Sequence, residues 1–317
     1  MLARLALVAV LAMTGGASAA AFKDSEASLP TTLGTLYGTL VTPEKSSAVA
    51  LILAGSGPTD RDGNSTMGIH PNTLKLLAGA LGARGITTLR TDKRGIAQSA
   101  DAMISESDLT PQTYADDAKA WVAQLRGQTG AKCIWLIGHS EGALIAEMAA
   151  QNNPDICGLV LASAPGRKLG DIIRAQINSN PANPADLKAE ADNILNTLEN
   201  GQTVADVPPV LAPLFRPSVQ PYMIAELALD PAAMLGAMKL PVLIVQGDND
   251  IQVSVDDAKA LSAAEPDAKL VILPGVNHVL KQAPADRAEN IATYNNPDLP
   301  IAPRVTDAIT AFIASNP

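Results

Sequence analysis

Aromatic residues, histidine, cysteine and runs of basic residues are all scarce in this sequence. Phe, Trp and Tyr make up only 3% of its 317 residues, so Ala, Leu, Val and Ile have to fill most of a core drawn from 47% hydrophobic residues. The net charge is −9, and acidic and basic side chains are interspersed without a basic run. This pattern argues against a nucleic acid or an anionic membrane surface as a partner. The length suits one large α/β domain with an insertion, or two domains.

An apolar run long enough to cross a membrane is missing from the start of the chain. The run at residues 5–13 is far shorter than the ~20 residues that a transmembrane helix needs. Arg4 precedes it and small residues follow it, in the order typical of a secretory signal peptide. We therefore predict that residues 1–19 are a signal peptide, cleaved after Ala19 or at most two residues later. No cysteine lies at this site, so we expect a periplasmic or secreted protein without a stable membrane anchor.

Only two cysteines are present, Cys133 and Cys157. Each lies at the start of an apolar run, and the two runs are predicted to be neighbouring parallel strands, so both cysteines should lie at the same end of a sheet. An oxidising compartment permits a disulfide between them. The alternative is a pair of buried thiols that act as small hydrophobic side chains. The residues alone leave both possibilities open.

The sequence does contain a nucleophile motif at a predicted strand-to-helix junction. Residues 133–137 are bulky and β-branched, as strands favour, and residues 141–150 carry helix formers with apolar residues at helical spacing. Between them, residues 138–142 read Gly-His-Ser-Glu-Gly, a G-x-S-x-G motif in the context of a nucleophile elbow. An ordinary glycine turn is the alternative, but the flanking elements favour the elbow. We predict that Ser140 is the nucleophile and that the Glu141 amide meets a developing oxyanion.

The general base can be sought by elimination because the chain has only three histidines. His139 adjoins Ser140, and because neighbouring residues there point to different faces, it should face the core. His70 precedes a predicted helix, a position more typical of a loop or capping residue. His278 lies in the loop after the last predicted strand, at the sheet edge where Ser140 should emerge. We therefore predict that His278 is the base that activates Ser140.

The acid that orients this base should follow the preceding strand. Residues 246–250 read Gln-Gly-Asp-Asn-Asp and offer two carboxylates, Asp248 and Asp250. Asp248 follows the glycine directly and could brace the turn, whereas Asp250 lies further into the loop and has the better reach. We favour Asp250. The chain order is then Ser, Asp, His, which is the order expected when an elbow carries the nucleophile.

Strands and helices alternate through most of the chain. Residues 31–42 predict an edge hairpin, and further strands are predicted at residues 48–54, 86–90, 133–137, 156–162, 241–246 and 268–273. This alternation indicates a mostly parallel sheet covered by helices on both faces. It breaks over residues 167–239, where helical patches are separated by Pro-rich turns. We predict that residues 20–166 and 240–317 form the core and that residues 167–239 form a helical cap, inserted after the sixth strand.

The loop after residues 48–54 is the expected source of a second oxyanion donor. It is too rich in Gly, Pro, Asp and Asn to be regular structure, and it follows a strand at the sheet edge where sites form. The backbone amide of Ser56 is the first choice for this donor. A merely tight turn would explain the glycines but not their place at the carboxyl edge of the sheet.

These motifs together resemble the α/β-hydrolases over essentially the whole mature chain, and most closely the bacterial serine esterases with a helical cap. Those esterases have an oxyanion loop that reads H-G-S-G-P-T-D-R-D-G. Residues 55–63 match it, with Ala54 in place of the histidine. Residues 91–99 resemble the D-x-R-G-x-G-x-S turn of the family, with Ala97 in place of the second glycine.

Two further segments carry the same resemblance. Residues 215–222 are similar to part of the cap of those esterases, and residues 247–253 resemble the acid loop, whose second aspartate is the triad member. The resemblance implies the fold and the triad, but it is poorly specific for the substrate.

We therefore expect a carboxylesterase that cleaves small acyl esters through a Ser-His-Asp triad and an acyl-enzyme, without a metal or cofactor. Two alternatives stay open from the sequence. One is a serine peptidase or amidase, because the same fold supports both reactions. The other is a secreted binding module that keeps the fold without catalysis. The natural substrate, acyl-chain length and oligomeric state are not specified by the residues.

Overall fold

A single twisted sheet of eight strands forms the centre of the molecule. The computed structural model describes residues 22–317, so the predicted signal peptide at residues 1–19 lies outside the described residues. The strand order is β1-β2-β4-β3-β5-β6-β7-β8. The strands are β1 (Phe22–Thr31), β2 (Gly34–Pro43), β3 (Ala48–Leu53), β4 (Ile86–Thr91), β5 (Ile134–His139), β6 (Ile156–Ala162), β7 (Val242–Gly247) and β8 (Lys269–Leu273).

The sheet is mostly parallel, as predicted. The strands from β4 through β3, β5, β6 and β7 to β8 all run in one direction, whereas β1 pairs antiparallel with β2 and β2 pairs antiparallel with β4. The strands β3, β5, β6 and β7 are almost completely buried. Their continuous apolar sequences follow from this position, because strands covered on both faces have no solvent side for polar residues.

The edge hairpin lies earlier in the chain than predicted. Residues 31–42 were expected to hold both strands, but they contain little more than β2, and the turn lies at residues 32–33. The first strand, β1, is mostly exposed and polar and pairs along one edge only. Such a strand lacks the apolar alternation from which strands are recognised.

Helices cover both faces of the sheet and make two separate cores. One core contains Trp121 and the other contains Phe312, whose ring lies edge-on against Trp135 with centroids 5.6 Å apart. The helices are α1 (Thr73–Gly82), α2 (Pro111–Thr129), α3 (Glu141–Ala150), α4 (Leu169–Ser179), α5 (Ala185–Glu199), α6 (Ala212–Phe215), α7 (Gln220–Leu227), α8 (Pro231–Gly236), α9 (Val255–Ala264), α10 (Arg287–Ala292) and α11 (Pro303–Ser315).

The segment between β6 and β7 is helical and contains α4 to α8. Phe215 and Leu195 lie in a third hydrophobic cluster that is confined to this segment and draws its buried residues from α4 to α7. Leu235 of α8 instead packs beside α9 into the core that contains Trp121. The part of the segment with a core of its own therefore ends before α8.

A disulfide joins Cys133, just before β5, to Cys157 in β6, with their Cα atoms 5.1 Å apart. The two strands are parallel neighbours, so both cysteines lie at the same end of the sheet, as predicted. Among residues 22–317, no helix has the length and apolar character needed to cross a bilayer.

Candidate active site

The junction of β5 and α3 has the geometry of a nucleophile elbow. Ser140 joins them with φ 56° and ψ −128°, a backbone conformation that residues with side chains rarely adopt. Added Cβ atoms would lie 2.3 Å from the Ala143 Cα at Gly138 and 2.4 Å from the Leu53 oxygen at Gly142. Both flanking positions therefore require glycine. The Ser140 side chain stands at the carboxyl edge of the sheet and is partly exposed.

Asp250 and His278 meet at the same edge of the sheet. They follow β7 and β8, and the Nδ1 atom of His278 lies 2.8 Å from the Oδ2 atom of Asp250. The side chains are 6% exposed for His278 and fully buried for Asp250. Because an ionised carboxylate only accepts hydrogen bonds, Nδ1 carries a proton, and in the neutral imidazole Nε2 therefore keeps its lone pair. An imidazole in this tautomer can act as a base at Nε2.

The carboxyl group of Asp250 is held in its ionised form. Burial alone would raise its pKa, but the neighbouring His278 and the backbone amides of Val253 and Gln252 outweigh burial and lower the pKa below its usual value. Those two amides donate to Oδ1 at 2.9 Å and 2.8 Å. Both oxygens are therefore engaged, Oδ1 by the loop and Oδ2 by the imidazole.

Asp248 stabilises the turn in which it lies, the role that its position along the chain suggested. Its side chain is exposed, and Oδ1 accepts a hydrogen bond from the Gly275 amide at 2.7 Å. This bond ties the loop after β7 to the loop after β8. Asp248 therefore braces the turn that carries Asp250, and within residues 22–317 it makes no hydrogen bond to His278.

His139 is buried, as predicted, and it also contacts the loop that carries His278. Its Nε2 donates to the backbone oxygen of His278 at 2.7 Å, and the two rings lie 5.0 Å apart. Burial, together with the neighbouring His278, lowers the pKa of His139 to about 4, so the ring is neutral near pH 7. No local pattern indicates this contact, because it joins residues 139 positions apart.

The structure brings Ser140 and His278 to one edge but does not join them by a hydrogen bond. Within residues 22–317, the Ser140 hydroxyl has no hydrogen-bond partner, whereas the adjacent His139 bonds directly to His278. Catalytic hydrogen bonds are often long in unliganded enzymes and tighten when substrate binds. His70, the third histidine, is exposed in a loop, where its amide donates to the Asn295 side chain at 2.9 Å.

Among residues 22–317, two backbone amides near Ser140 have no hydrogen-bond acceptor. Glu141 is the first residue of α3, so its amide has no partner within the helix. Ser56 is exposed in the loop after β3, and no hydrogen bond from its amide occurs among the described residues. An added Cβ at Gly55 would lie 3.1 Å from the Ser140 Cβ. The loop that carries Ser56 therefore passes directly against the elbow.

The two loop motifs of the resemblance are bonded to each other. Arg61 Nε and Nη2 donate to Asp92 Oδ2 at 3.0 Å and 2.6 Å, and the Arg61 amide donates to Oδ1 at 2.8 Å. Arg90 and Asp62 form a second pair at 2.9 Å. Hydrogen bonds from an arginine to a carboxylate are charge-assisted and stronger than those between neutral groups. They hold the loop after β3 against the turn after β4.

A cluster of polar side chains beside the elbow was missed by the sequence analysis. It consists of Lys93, Tyr114, Glu141, Tyr222 and Glu226, and we call it the elbow cluster. Its members come from four different segments, so their proximity has no signature along the chain.

No group of three or more His, Cys, Asp and Glu side chains in residues 22–317 is placed to hold a metal ion.

The chain belongs to the alpha/beta hydrolase family, whose sequence model matches residues 28–293. It is similar to the esterase EstD of Thermotoga maritima, with 28% identity over 258 residues that cover 78% of this chain and 59% of that relative. It is also similar to the 2-(acetamidomethylene)succinate hydrolase of Mesorhizobium japonicum, with 28% identity over 213 residues that cover 62% of this chain and 73% of that relative.

The fold is shared with solved esterase structures. The esterase Pf2001 of Pyrococcus furiosus superposes with a TM-score of 0.59 at 18% identity, covering 93% of this chain and 91% of that one. Est1E of Butyrivibrio proteoclasticus, solved with ferulic acid bound, gives a TM-score of 0.57 at 20% identity, covering 89% of this chain and 95% of that one. The predicted α/β-hydrolase fold, with a mostly parallel sheet flanked by helices, is thereby confirmed.

Proposed function

We propose that this protein is a secreted or periplasmic serine carboxylesterase that cleaves small acyl esters. The observation that carries the proposal is the hydrogen bond between Asp250 and His278, formed at the sheet edge where the strained Ser140 emerges. The names of the esterase relatives support the same reaction class. The match spans 59% of the EstD relative, a little over half of its length.

The reaction would proceed as a two-step acyl transfer to water. Ser140 Oγ attacks the ester carbonyl carbon while His278 Nε2 takes its proton, and the carbonyl oxygen becomes an oxyanion. Asp250 keeps the imidazole in the required tautomer and stabilises the imidazolium. The protonated His278 then gives its proton to the leaving alcohol, which breaks the ester bond and leaves Ser140 acylated. In the second step His278 activates a water molecule that hydrolyses the acyl-enzyme.

The amides of Glu141 and Ser56 are the proposed donors to the oxyanion. Each is free of a hydrogen bond among the described residues, and the first stands at the N-terminus of α3, where the helix dipole favours negative charge. Removing one such donor typically lowers kcat by about 10²–10³. No step of this reaction requires a metal or a cofactor, and the proposed partner is a small-molecule ester.

The location and the cap belong to the same proposal. The leader-like residues 1–19 and the disulfide between Cys133 and Cys157 both support an oxidising compartment outside the cytoplasm. The helical segment between β6 and β7 enters at the carboxyl edge of the sheet and contacts the elbow through Tyr222. This contact supports its role as a cap over the site.

The test is a comparison of p-nitrophenyl esters of graded acyl length with p-nitroanilides of amino acids. We expect turnover of the short esters and little turnover of the anilides. Ser140→Ala should abolish the turnover of the esters. The substrate named for the Mesorhizobium japonicum relative carries an acetamido group, so simple acetamides belong in the panel. Faster turnover of amides than of esters would favour the amidase alternative. No turnover of any substrate by the wild-type protein would contradict the proposal.

A further inference from the structure

Lys93 contacts both segments that offer the proposed oxyanion amides. It lies in the turn after β4, and its Nζ atom is 3.5 Å from the backbone oxygen of Gly57 and 3.6 Å from Oε2 of Glu141. Gly57 follows Ser56, so one ammonium group connects the loop after β3 to the first residue of α3. The Lys93 side chain is only 10% exposed. Because Lys93 is buried to this extent, solvent screens its attraction to Glu141 less than it screens an ion pair on the surface.

The other oxygen of the Glu141 carboxylate is held from the cap side. Tyr222, on α7, donates its hydroxyl hydrogen bond to Glu141 Oε1. Burial and then the nearby Glu141 raise the pKa of Tyr222 well above its usual value, so its hydroxyl stays a donor. The Glu141 side chain is therefore fixed by two different elements, the turn after β4 and the helix α7.

The remaining members of the elbow cluster complete its charge balance. Glu226, one turn beyond Tyr222 on α7, is buried, and burial followed by the charge of Glu141 raises its pKa well above its usual value. The raised pKa favours the neutral acid at Glu226, beside the ion pair of Lys93 and Glu141. The Lys93 Nζ atom also lies 5.0 Å from the centre of the Tyr114 ring, a cation–π distance.

We propose that Lys93 and Tyr222 are positioning residues, which act through Glu141 and Gly57 to set the spacing of the two oxyanion amides. The carboxylate of Glu141 is anchored on two sides, so the first turn of α3 and its amide cannot rotate freely. The same Lys93 holds the carbonyl of the Gly57–Pro58 peptide, two peptide units beyond the one that carries the Ser56 amide, and so restrains the loop on the far side of Ser56. Neither residue touches the reacting atoms in this account. The inference rests on the proposed function for its chemistry, but not for its geometry.

The experiment compares Lys93→Met, Lys93→Arg and Tyr222→Phe with the wild-type protein. Lys119→Met and Tyr37→Phe are matched controls, because they make the same chemical changes away from the elbow cluster. Rates are measured on a neutral short ester and divided by the number of active sites, titrated with a phosphonate. We expect Lys93→Met and Tyr222→Phe to lower kcat by about 10- to 100-fold, since small misplacements of catalytic groups have effects of that size.

Three results together would support the positioning role. KM should change by no more than about threefold, because the amides act on the transition state rather than on the bound ester. Affinity for a trifluoromethyl ketone, which forms an oxyanion on Ser140, should fall by about the same factor as kcat. Lys93→Arg should recover most of the lost rate, and the two control variants should match the wild-type protein.

Other results would overturn the inference. An unchanged kcat per active site in Lys93→Met, with only a lower melting temperature, would make the cluster structural. A rise of KM confined to anionic esters would make Lys93 a substrate contact instead. If the wild-type protein neither hydrolyses esters nor reacts with the phosphonate, the proposed function fails. Hydrogen exchange then still tests whether Lys93 restrains the two segments it contacts. Lys93→Met should speed exchange in peptides that cover residues 55–63 and 141–147, and unchanged exchange would show that Lys93 does not restrain them.

Discussion

At the scale of single residues, the assignment of the acid depends on two neighbouring aspartates. Asp250 is buried against the His278 imidazole, while Asp248 is exposed and bonds to the Gly275 amide. We expect Asp250→Asn to lower kcat by about 10³–10⁴, because an amide in this place favours the wrong tautomer of His278. Asp248→Asn should stay within about tenfold of the wild-type rate. Ester hydrolysis at pH 7 checks both variants, and a larger loss in the Asp248 variant would reverse the assignment.

A second residue-scale prediction concerns the buried carboxyl group of Glu147 on α3. Neither of its oxygens has a hydrogen-bond partner within residues 22–317, and burial raises its pKa well above the ordinary value of 4.5. The folded state therefore favours the protonated acid. The contribution of this group to stability is fully present below pH 4.5 and is lost as the pH rises toward the raised pKa.

We expect Glu147→Met to be more stable than the wild-type protein at pH 7, by about 1–3 kcal/mol, because it removes a buried polar group without a partner. The gain should shrink toward pH 4. Urea unfolding at the two pH values measures it, with Glu147→Gln as the control that removes ionisation and keeps the polar shape. A Glu147→Met variant that is less stable than wild type at pH 7 would contradict this account.

The residues that sequence reasoning identified and those it missed differ in a physical way. Ser140 and His278 stand in loops that follow recognisable strands, so the edge they share could be predicted from topology. The side chains of Lys93, Glu141 and Tyr222 meet only when the turn after β4 and the helix α7 pack against the elbow. Their contacts depend on packing between distant segments, and no spacing along the chain indicates them.

At the scale of elements, the elbow is determined by how closely β5, α3 and β3 approach one another. Gly142 packs against the backbone of β3, where an added Cβ would lie 2.4 Å from the Leu53 oxygen and 2.7 Å from the Ala54 oxygen. Backbone atoms cannot move aside as the end of a flexible side chain can. The close approach, rather than the helix itself, requires this glycine.

We therefore expect Gly142→Ala to lower the free energy of unfolding by about 1–3 kcal/mol or more, since the clash forces the backbone of α3 or β3 to shift. Gly127, inside α2 with open space around it, is the matched control. Gly127→Ala should raise stability by about 0.5–1 kcal/mol through its better helix propensity. Thermal unfolding of both variants tests the pair, and equal effects would show that close approach is not the cause.

Elements with strong local signals were placed well, and those without them were not. Helix α2 begins with two such signals, the capping box of Thr110 and Pro111 at the first helical position. The exposed strand β1 has no such signal and was missed. The predicted cap at residues 167–239 contains α8, whose Leu235 packs into the sheet core around Trp121. The local sequence does not indicate this contact.

At the scale of the whole molecule, one covalent link ties the start of β5 to β6. The disulfide between Cys133 and Cys157 closes a loop across a sequence separation of 24 residues, and this loop includes the elbow and α3. The sequence placed both cysteines at one end of the sheet but left their bonding open. The link restrains the unfolded chain over the segment that carries Ser140.

We expect the double variant Cys133→Ala, Cys157→Ala to lower the free energy of unfolding by about 3 kcal/mol, the size expected for a loop of this length. Guanidinium unfolding of the oxidised protein, the reduced protein and the double variant measures this difference. The reduced protein and the double variant should agree within about 1 kcal/mol, since both lack the same restraint. Equal stability of all three samples would show that the disulfide does not stabilise the folded protein.

The central claim is that Ser140, activated by His278, forms a covalent acyl-enzyme. The most direct measurement is the mass of the intact protein after reaction with a p-nitrophenyl alkylphosphonate, followed by peptide mapping of the adduct. The account predicts one adduct per chain, located on Ser140, with no adduct in Ser140→Ala and much slower labelling in His278→Ala. An adduct on another residue, or labelling that is unchanged in Ser140→Ala, would contradict it.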